Sequence, residues 1–214
     1  GPEISRRPSD IINEAQELVE SGIKEITLLG QNVNSYGRDL KIDNKSRPYF
    51  AQLLHKLNEI DGLERIRFTS PHPKDVDDDM LEVMVKHSNI CNQIHLPLQA
   101  GSDRILKRMN RSYTSAEFLT LAEKIREYMP DCTLTTDVIV GFPGETDNDF
   151  NKTYELLKAI NISYLHIFTY SERKNTESEQ LFPKVDISTK TVRRQKLKKL
   201  SMLKYQEFIH KNIN

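Results

Sequence analysis

The sequence predicts an α/β protein in which short parallel strands are joined by helical crossovers. Three observations carry that prediction. Strand starts fall roughly every thirty to forty residues, a segment with helical spacing separates each pair, and no hairpin turn joins any two of them.

The elements follow in order. Apolar residues at Ile11, Ala15, Leu18, Val19 and Gly22 recur at helical spacing, with Pro8 suited to a first turn. "KEITLLG" (24–30) then reads as a short buried strand closed by a glycine. "YFAQLLHKL" (49–57) is helical and "RIRFTS" (65–70) is a strand. "DMLEVMVKH" (79–87) is helical again and leads into the strand "NQIHLP" (92–97), after which Ile105, Leu106 and Met109 turn a helix onto the core. Thr114 and Glu117 form a capping box ahead of a stripe of Phe118, Leu121, Ala122 and Ile125, followed by the strand "TLTTDVIVG" (133–141). Thr146 and Asp149 cap a further helix near 147–160, and "YLHIFTY" (164–170) is the fifth strand. A complete barrel needs eight strands in about 250 residues, so a partial barrel and an open doubly wound sheet both fit the count.

The last segment differs. Between Lys190 and Lys211 stand eight basic residues and one acid, Glu207, with Val192, Leu200, Leu203 and Phe208 as a loose apolar stripe. This is either a solvated helix on the sheet's edge or a basic face for a polyanion.

The 214 residues are 37% hydrophobic and 29% charged, an ordinary globular composition with no apolar run long enough to span a membrane. Thirty-one basic residues balance thirty-one acidic ones, so net charge points to no partner. The two cysteines, Cys91 and Cys132, read as reduced core thiols of a cytoplasmic protein, with a disulfide or ligand pair as the alternative. The opening Gly1-Pro2 has the look of a tag-cleavage scar on a chain cut from something longer.

Polar residues collect where each strand ends. The exits read "GQNVNSYG" (30–37), "SPHP" (70–73), "PLQAGS" (97–102), "DVIVGFPGET" (137–146) and "YSERKNT" (170–176), whereas the strand entrances are plain connectors. In parallel sheets ligands bind beyond the carboxyl ends of the strands, so this asymmetry puts an extended site on one rim. Gln31, Asn32, Asn34, Ser70, Gln99 and Ser102 are hydrogen-bonding groups rather than nucleophiles with a base beside them. His72, His95 and His166 are too scattered for a metal motif, although His72, between two prolines, is expected at the rim. Asp137 lies inside an apolar strand and needs a partner, either a structural one or a ligand's diol or ammonium group. "GFPGET" lacks both GxGxxG and a following GK[ST], which argues against a nucleoside triphosphate. The rim suits a polar, zwitterionic, nucleoside-like molecule.

Five of these stretches, "TLLGQNVNSYG", "FTSPHPKD", "HLPLQAGSDRILKRMNRSYT", "TTDVIVGFPGETDNDF" and "FTYSERKNT", cover about a third of the chain. In order and spacing the chain resembles the radical S-adenosylmethionine methylthiotransferases, most of all the tRNA-2-methylthio-N6-isopentenyladenosine synthases. The resemblance implies a partial parallel (βα)6-type barrel with S-adenosylmethionine across its strand ends, a flanking N-terminal domain with a second iron–sulfur cluster, and a C-terminal RNA-binding β-domain. It implies a barrel core over 1–176 and a linker with a basic helix over 177–214. Gln31 and Asn32 would lie near the methionine end or the reacting adenosine, and Gln99 and Ser102 would face the cofactor. Arg111 would take its carboxylate, a group that a guanidinium grips with two hydrogen bonds. Asp137 would take the ribose or amino group, the backbone of Val140 to Phe142 would border the adenine, and Asn34, Ser70 and His72 complete the cofactor-binding set. No catalytic residue is assigned. The implied partner is the tRNA anticodon stem-loop, with C2 of N6-isopentenyladenosine at position 37 as the target. Arg173, Lys174, Arg193 and Arg194 are the candidate RNA contacts. The alternatives are a methylthiotransferase for threonylcarbamoyl-adenosine or a ribosomal protein, or a cluster-free nucleoside- or RNA-binding barrel.

The chain departs from the family in one respect. Such enzymes hold a [4Fe–4S] cluster on a C-x3-C-x2-C loop, three thiolates leaving one iron open. This sequence has no such spacing. Glu3 to Arg6 resemble the end of the segment that follows the loop, so the first strand and the cluster loop are expected to be missing, and the polypeptide is expected to bind no iron and to be inactive alone.

Overall fold

The computed structural model describes residues 4–40 and 50–213, so Gly1, Pro2, Glu3 and Tyr49 lie outside the described residues. In chain order the elements are α1 (Pro8–Glu20), β1 (Glu25–Leu28), α2 (Phe50–Asn58), β2 (Arg65–Phe68), α3 (Asp78–Lys86), β3 (Gln93–His95), α4 (Asp103–Arg108), α5 (Ser115–Tyr128), β4 (Thr133–Val140), α6 (Asp147–Ala159), β5 (Tyr164–Thr169) and α7 (Ile187–Ile213). All five expected strands form, alternating with helices. Residues 1–95 with 127–132 make one compact unit, and residues 96–126 with 133–214 make a second. The boundary expected between 176 and 177 falls inside the second unit.

In the first unit β1 and β2 run parallel, in register from Glu25 opposite Arg65 to Leu28 opposite Phe68. Ile66, fully buried, also makes a parallel bridge to Ile90. α1 begins with Pro8 in its first turn, where a missing N–H costs nothing. α2 turns Phe50, Ala51, Leu53, Leu54 and Leu57 inward. α3 starts at Asp77, whose carboxylate accepts from the Met80 N–H at 2.9 Å.

In the second unit β4 pairs in parallel with β5 over six residues, Thr135 opposite Tyr164 through Val140 opposite Thr169. Both capping boxes read from the sequence are present: Glu117 accepts from the Thr114 N–H at 2.7 Å, and Thr146 and Asp149 satisfy each other's backbone at the start of α6. α7 departs from the expected pattern. Its buried face is Arg193, Leu197, Leu200, Ser201 and Lys204, at helical spacing, while Val192 and Leu203 are 64% and 58% exposed. Two charged residues can face inward because each has partners there. Arg193 meets Glu145 and Asp147, and the Lys204 ammonium donates to the Ile160 carbonyl at 2.7 Å and to the Lys158 carbonyl at 3.3 Å. Burial pushes the Lys204 ammonium below its ordinary pKa. Ser201 lies along β5, its hydroxyl accepting from the Leu165 N–H at 3.0 Å and donating to the Leu165 carbonyl at 3.2 Å.

Candidate functional site

The strand exits of the first unit form one hydrogen-bonded set. After β1 the chain makes a short 3₁₀ turn at Val33–Ser35 that buries Asn34. The Asn34 side chain then holds the exit of β2 by both its groups, donating to the His72 carbonyl at 3.0 Å and accepting from the His72 N–H at 2.7 Å. Asn32 donates to Asp75 at 3.1 Å, and Arg38 pairs with the same carboxylate. An acceptor-only partner fixes the amide's orientation, which leaves Asn32 Oδ1 buried with no hydrogen-bond partner. Gln31 is exposed and lines, with Asn32, Ser5, Arg6 and Tyr36, a cleft of about 400 Å³. Ser70 is exposed, at φ +56°, a left-handed conformation that non-glycine residues adopt at a cost. The His72 ring nitrogen accepts from the Lys74 N–H at 3.2 Å.

The second unit gathers the other candidates around the end of β4. Gln99 is also left-handed, at φ +69°, and its backbone is pinned on both sides: its N–H donates to Asp137 O and its carbonyl accepts from the Ile139 N–H. Asp137 is half-buried, opposite His166 on β5. Ser102 turns inward: at 1% exposure its hydroxyl donates to Asp149 at 2.7 Å. Arg104 joins the same carboxylate. Burial alone would raise the Asp149 carboxyl, but hydrogen bonds from Arg104, Ser102 and Thr146 outweigh it and hold the acid well below the usual range.

A cleft of about 550 Å³ opens at the end of β4, lined by Arg108, Arg111, Ile139, Phe142 and Tyr170 among others. Phe142 meets Tyr170 edge-on with ring centroids 5.0 Å apart. Arg111 Nε and the Tyr170 hydroxyl are both buried without a hydrogen-bond partner, a state that costs roughly 1–3 kcal/mol each until something pairs with them. The cleft therefore couples an apolar, aromatic wall to two guanidinium groups, Arg108 and Arg111, to the Glu177 carboxylate and to one phenol. Val140 is 1% exposed and contributes backbone, its carbonyl accepting from the Tyr170 N–H.

The expected RNA contacts separate into two kinds. Arg173, Lys174 and Arg194 are exposed, but Arg193 is 5% exposed and committed to an ion pair, because its position on α7 faces the core. Three residues of this region do not stand out in the sequence. Ile139 and Tyr170 look there like ordinary strand residues, and Glu145 like part of a glycine-rich string. A carboxylate four residues past a strand's last glycine is the available signal for Glu145, since it accepts from the Gly141 N–H at 3.1 and 3.2 Å. Among the described residues no group of three or more His, Cys, Asp or Glu side chains is placed to hold a metal.

Comparison with known proteins agrees with this α/β architecture. A family model described as the radical SAM superfamily matches residues 1–157. A protein of Thermoanaerobacter sp. (strain X514) named tRNA-2-methylthio-N(6)-dimethylallyladenosine synthase is 48% identical over 197 residues, 92% of this chain and 41% of its own length. One of the same name from Mycobacteroides abscessus is 52% identical over 184 residues, 85% of this chain and 36% of its own. The chain thus spans about two fifths of the length of these curated relatives. Among solved structures, coproporphyrinogen III oxidase from Escherichia coli, a radical SAM enzyme, aligns over 94% of this chain and 48% of its own with a TM-score of 0.63 at 15% identity. The radical S-adenosylmethionine methyltransferase TsrM from Kitasatospora setae aligns over 77% of this chain and 31% of its own with a TM-score of 0.59 at 14% identity.

Proposed function

We propose, for a chain that belongs to the radical SAM superfamily, that it is the S-adenosylmethionine-binding core of a tRNA methylthiotransferase. The target would be C2 of N6-isopentenyladenosine at position 37 of the anticodon loop, in the cytoplasm. The observation that carries the reading is near 50% identity, over 85–92% of the chain, to synthases named for that nucleoside. Among the described residues no helix is long and apolar enough to cross a membrane.

S-adenosylmethionine is the group that supplies the radical chemistry in such enzymes, and the residues of the cleft suit it. Arg111 would take the carboxylate and Phe142 and Ile139 the flat face of the adenine. Asp137 would accept from the ribose or ammonium group, and the backbone of Val140 to Phe142 would border the ring edge. Gln99 would face the cofactor from its own strand exit. Ser102 would act from behind, since its hydroxyl is engaged by Asp149. In the first unit, Gln31, Asn32, Asn34, Ser70 and His72 are the remaining candidates for contact with the cofactor. An iron–sulfur cluster is a different matter. Three thiolates are required, and this chain has two cysteines, of which Cys132 is buried. Its own residues do not fit the cluster.

Arg173, Lys174 and Arg194 would contact tRNA phosphates. Two experiments test the reading. Titration of the chain with S-adenosylhomocysteine should show binding that Arg111→Ala weakens roughly tenfold or more, the cost of losing a charge-assisted pair; unchanged affinity would remove Arg111 from the site. Nucleoside mass analysis of tRNA from cells lacking the full-length gene should show isopentenyladenosine without its methylthio group. A loss on threonylcarbamoyl-adenosine instead would move the substrate.

A further inference from the structure

We infer that Arg193 is a positioning residue for the cleft of the second unit, acting through the Glu145 carboxylate on the Gly141–Phe142 wall. This rests on the reading of that cleft as the cofactor site. The sequence suggested a basic residue turned toward a polyanion, and the geometry assigns it the opposite direction.

The relay consists of close contacts. Arg193 Nη1 donates to Glu145 Oε1 at 2.6 Å, and Nη2 donates to Asp147 Oδ1 at 2.7 Å. The guanidinium also lies 5.5 Å from the Phe150 ring centroid, a cation–π contact. Both side chains of the Arg193–Glu145 pair are nearly sealed, at 6% and 4% exposure. Both oxygens of Glu145 accept from the Gly141 N–H. Gly141 has φ +75°, and a Cβ there would come within 2.3 Å of the Lys190 side chain, so only a glycine fits against α7. The next residue is Phe142, whose ring forms the cleft wall against Tyr170. Lys190 closes the other side, donating to the Tyr170 carbonyl at 3.2 Å with its ammonium 5.4 Å from the Tyr170 ring centroid. The first part of α7 therefore bears on both aromatic walls: Lys190 directly on Tyr170, and Arg193 through the Glu145 carboxylate on the segment that carries Phe142.

Glu145 needs Arg193 to keep its charge. Burial already pushes its carboxyl up, against the pull of the Gly141 N–H and of Arg193. Without the guanidinium the acid would be left buried and uncompensated, and a protonated carboxyl is a weaker acceptor for the Gly141 N–H. The wall would then lose its fixed position, although α7 would still be held by Leu197, Leu200 and Ser201.

The test uses this chain and two readouts. Hydrogen exchange is measured over residues 139–146, and S-adenosylhomocysteine is titrated into the wild type, Arg193→Met, Arg193→Lys and, as control, Gln206→Ala on the exposed side of the same helix. Arg193→Met should speed exchange in that segment and weaken binding roughly tenfold or more, as expected for losing a charged hydrogen bond's hold on the site. Arg193→Lys should fall between it and the wild type, and Gln206→Ala should change neither readout. If Arg193→Met does not fold, Glu145→Gln should give the same pair of changes. Unchanged exchange overturns the proposal, and so does faster exchange with unchanged affinity. If the wild type itself binds no S-adenosylhomocysteine, the cofactor reading fails instead, and the exchange arm alone decides whether Arg193 holds the wall.

Discussion

Asp149 accepts hydrogen bonds from Ser102, Arg104, Thr146 and the Thr146 N–H, so one carboxylate caps α6 and closes the turn after Gly101. Its carboxyl is depressed in the folded state, and the sign of the pH effect follows. The stability it contributes is fully present above the unfolded value of about 3.9 and is lost as pH falls through the lower folded value. In thermal unfolding, Asp149→Asn should be less stable than the wild type at neutral pH, with a gap that closes below about pH 4; a constant gap from pH 7 to pH 2 would contradict the assignment. Asn34 supports a similar statement. Asn34→Ala removes both hydrogen bonds to the His72 backbone and should cost about 2 kcal/mol in urea unfolding. At this scale the sequence was legible wherever a residue type has few uses. The capping boxes and Pro8 followed from local chemistry. The inward turn of Ser102 did not, because a serine at a strand exit serves a ligand or a distant carboxylate equally well. The left-handed backbones of Ser70 and Gln99 leave no trace in composition either, since neither is a glycine.

Helix α7 marks the limit of pattern reading at the level of elements. Counting apolar residues suggested a stripe through Val192 and Leu203, yet the buried face runs through Arg193 and Lys204. Hydrophobicity identifies a face only while its charged members lack internal partners, and here those partners come from α6 and from the turn before it. The two faces should respond differently to truncation. Leu197→Ala, at a fully buried position, should cost about 3 kcal/mol of unfolding free energy. Leu203→Ala, 58% exposed, should stay within about 0.5 kcal/mol. Similar losses at both positions would mean that α7 packs on another face in solution. The strands were easier to read, because continuous apolar runs closed by glycine or proline have few alternatives to a parallel sheet.

For the molecule as a whole, alternating strands and helices gave the α/β class, and the polar strand exits gave the side on which to look for a site. The cleft's aromatic pair and its two unpartnered polar atoms arise from residues far apart in the chain, so no local window could reveal them. Charge also needed the fold to be read. The basic run ending the chain has its outward members, among them Arg194, separated from its inward ones only by helical phase. Reversing Arg173, Lys174 and Arg194 to Glu in the full-length protein should weaken tRNA binding and flatten its salt dependence, by about one unit of log–log slope for each phosphate no longer neutralised. Equal slopes for the two proteins would assign tRNA binding to other surfaces. The Ser201 hydroxyl carries a last consequence. By occupying the Leu165 N–H and carbonyl it masks the strand edge of β5 that faces away from β4. A bare edge of that kind recruits strands from other chains. Trimming the chain back to Asp186 should therefore make the polypeptide self-associate and precipitate, with helix α7 having served as its built-in guard against aggregation.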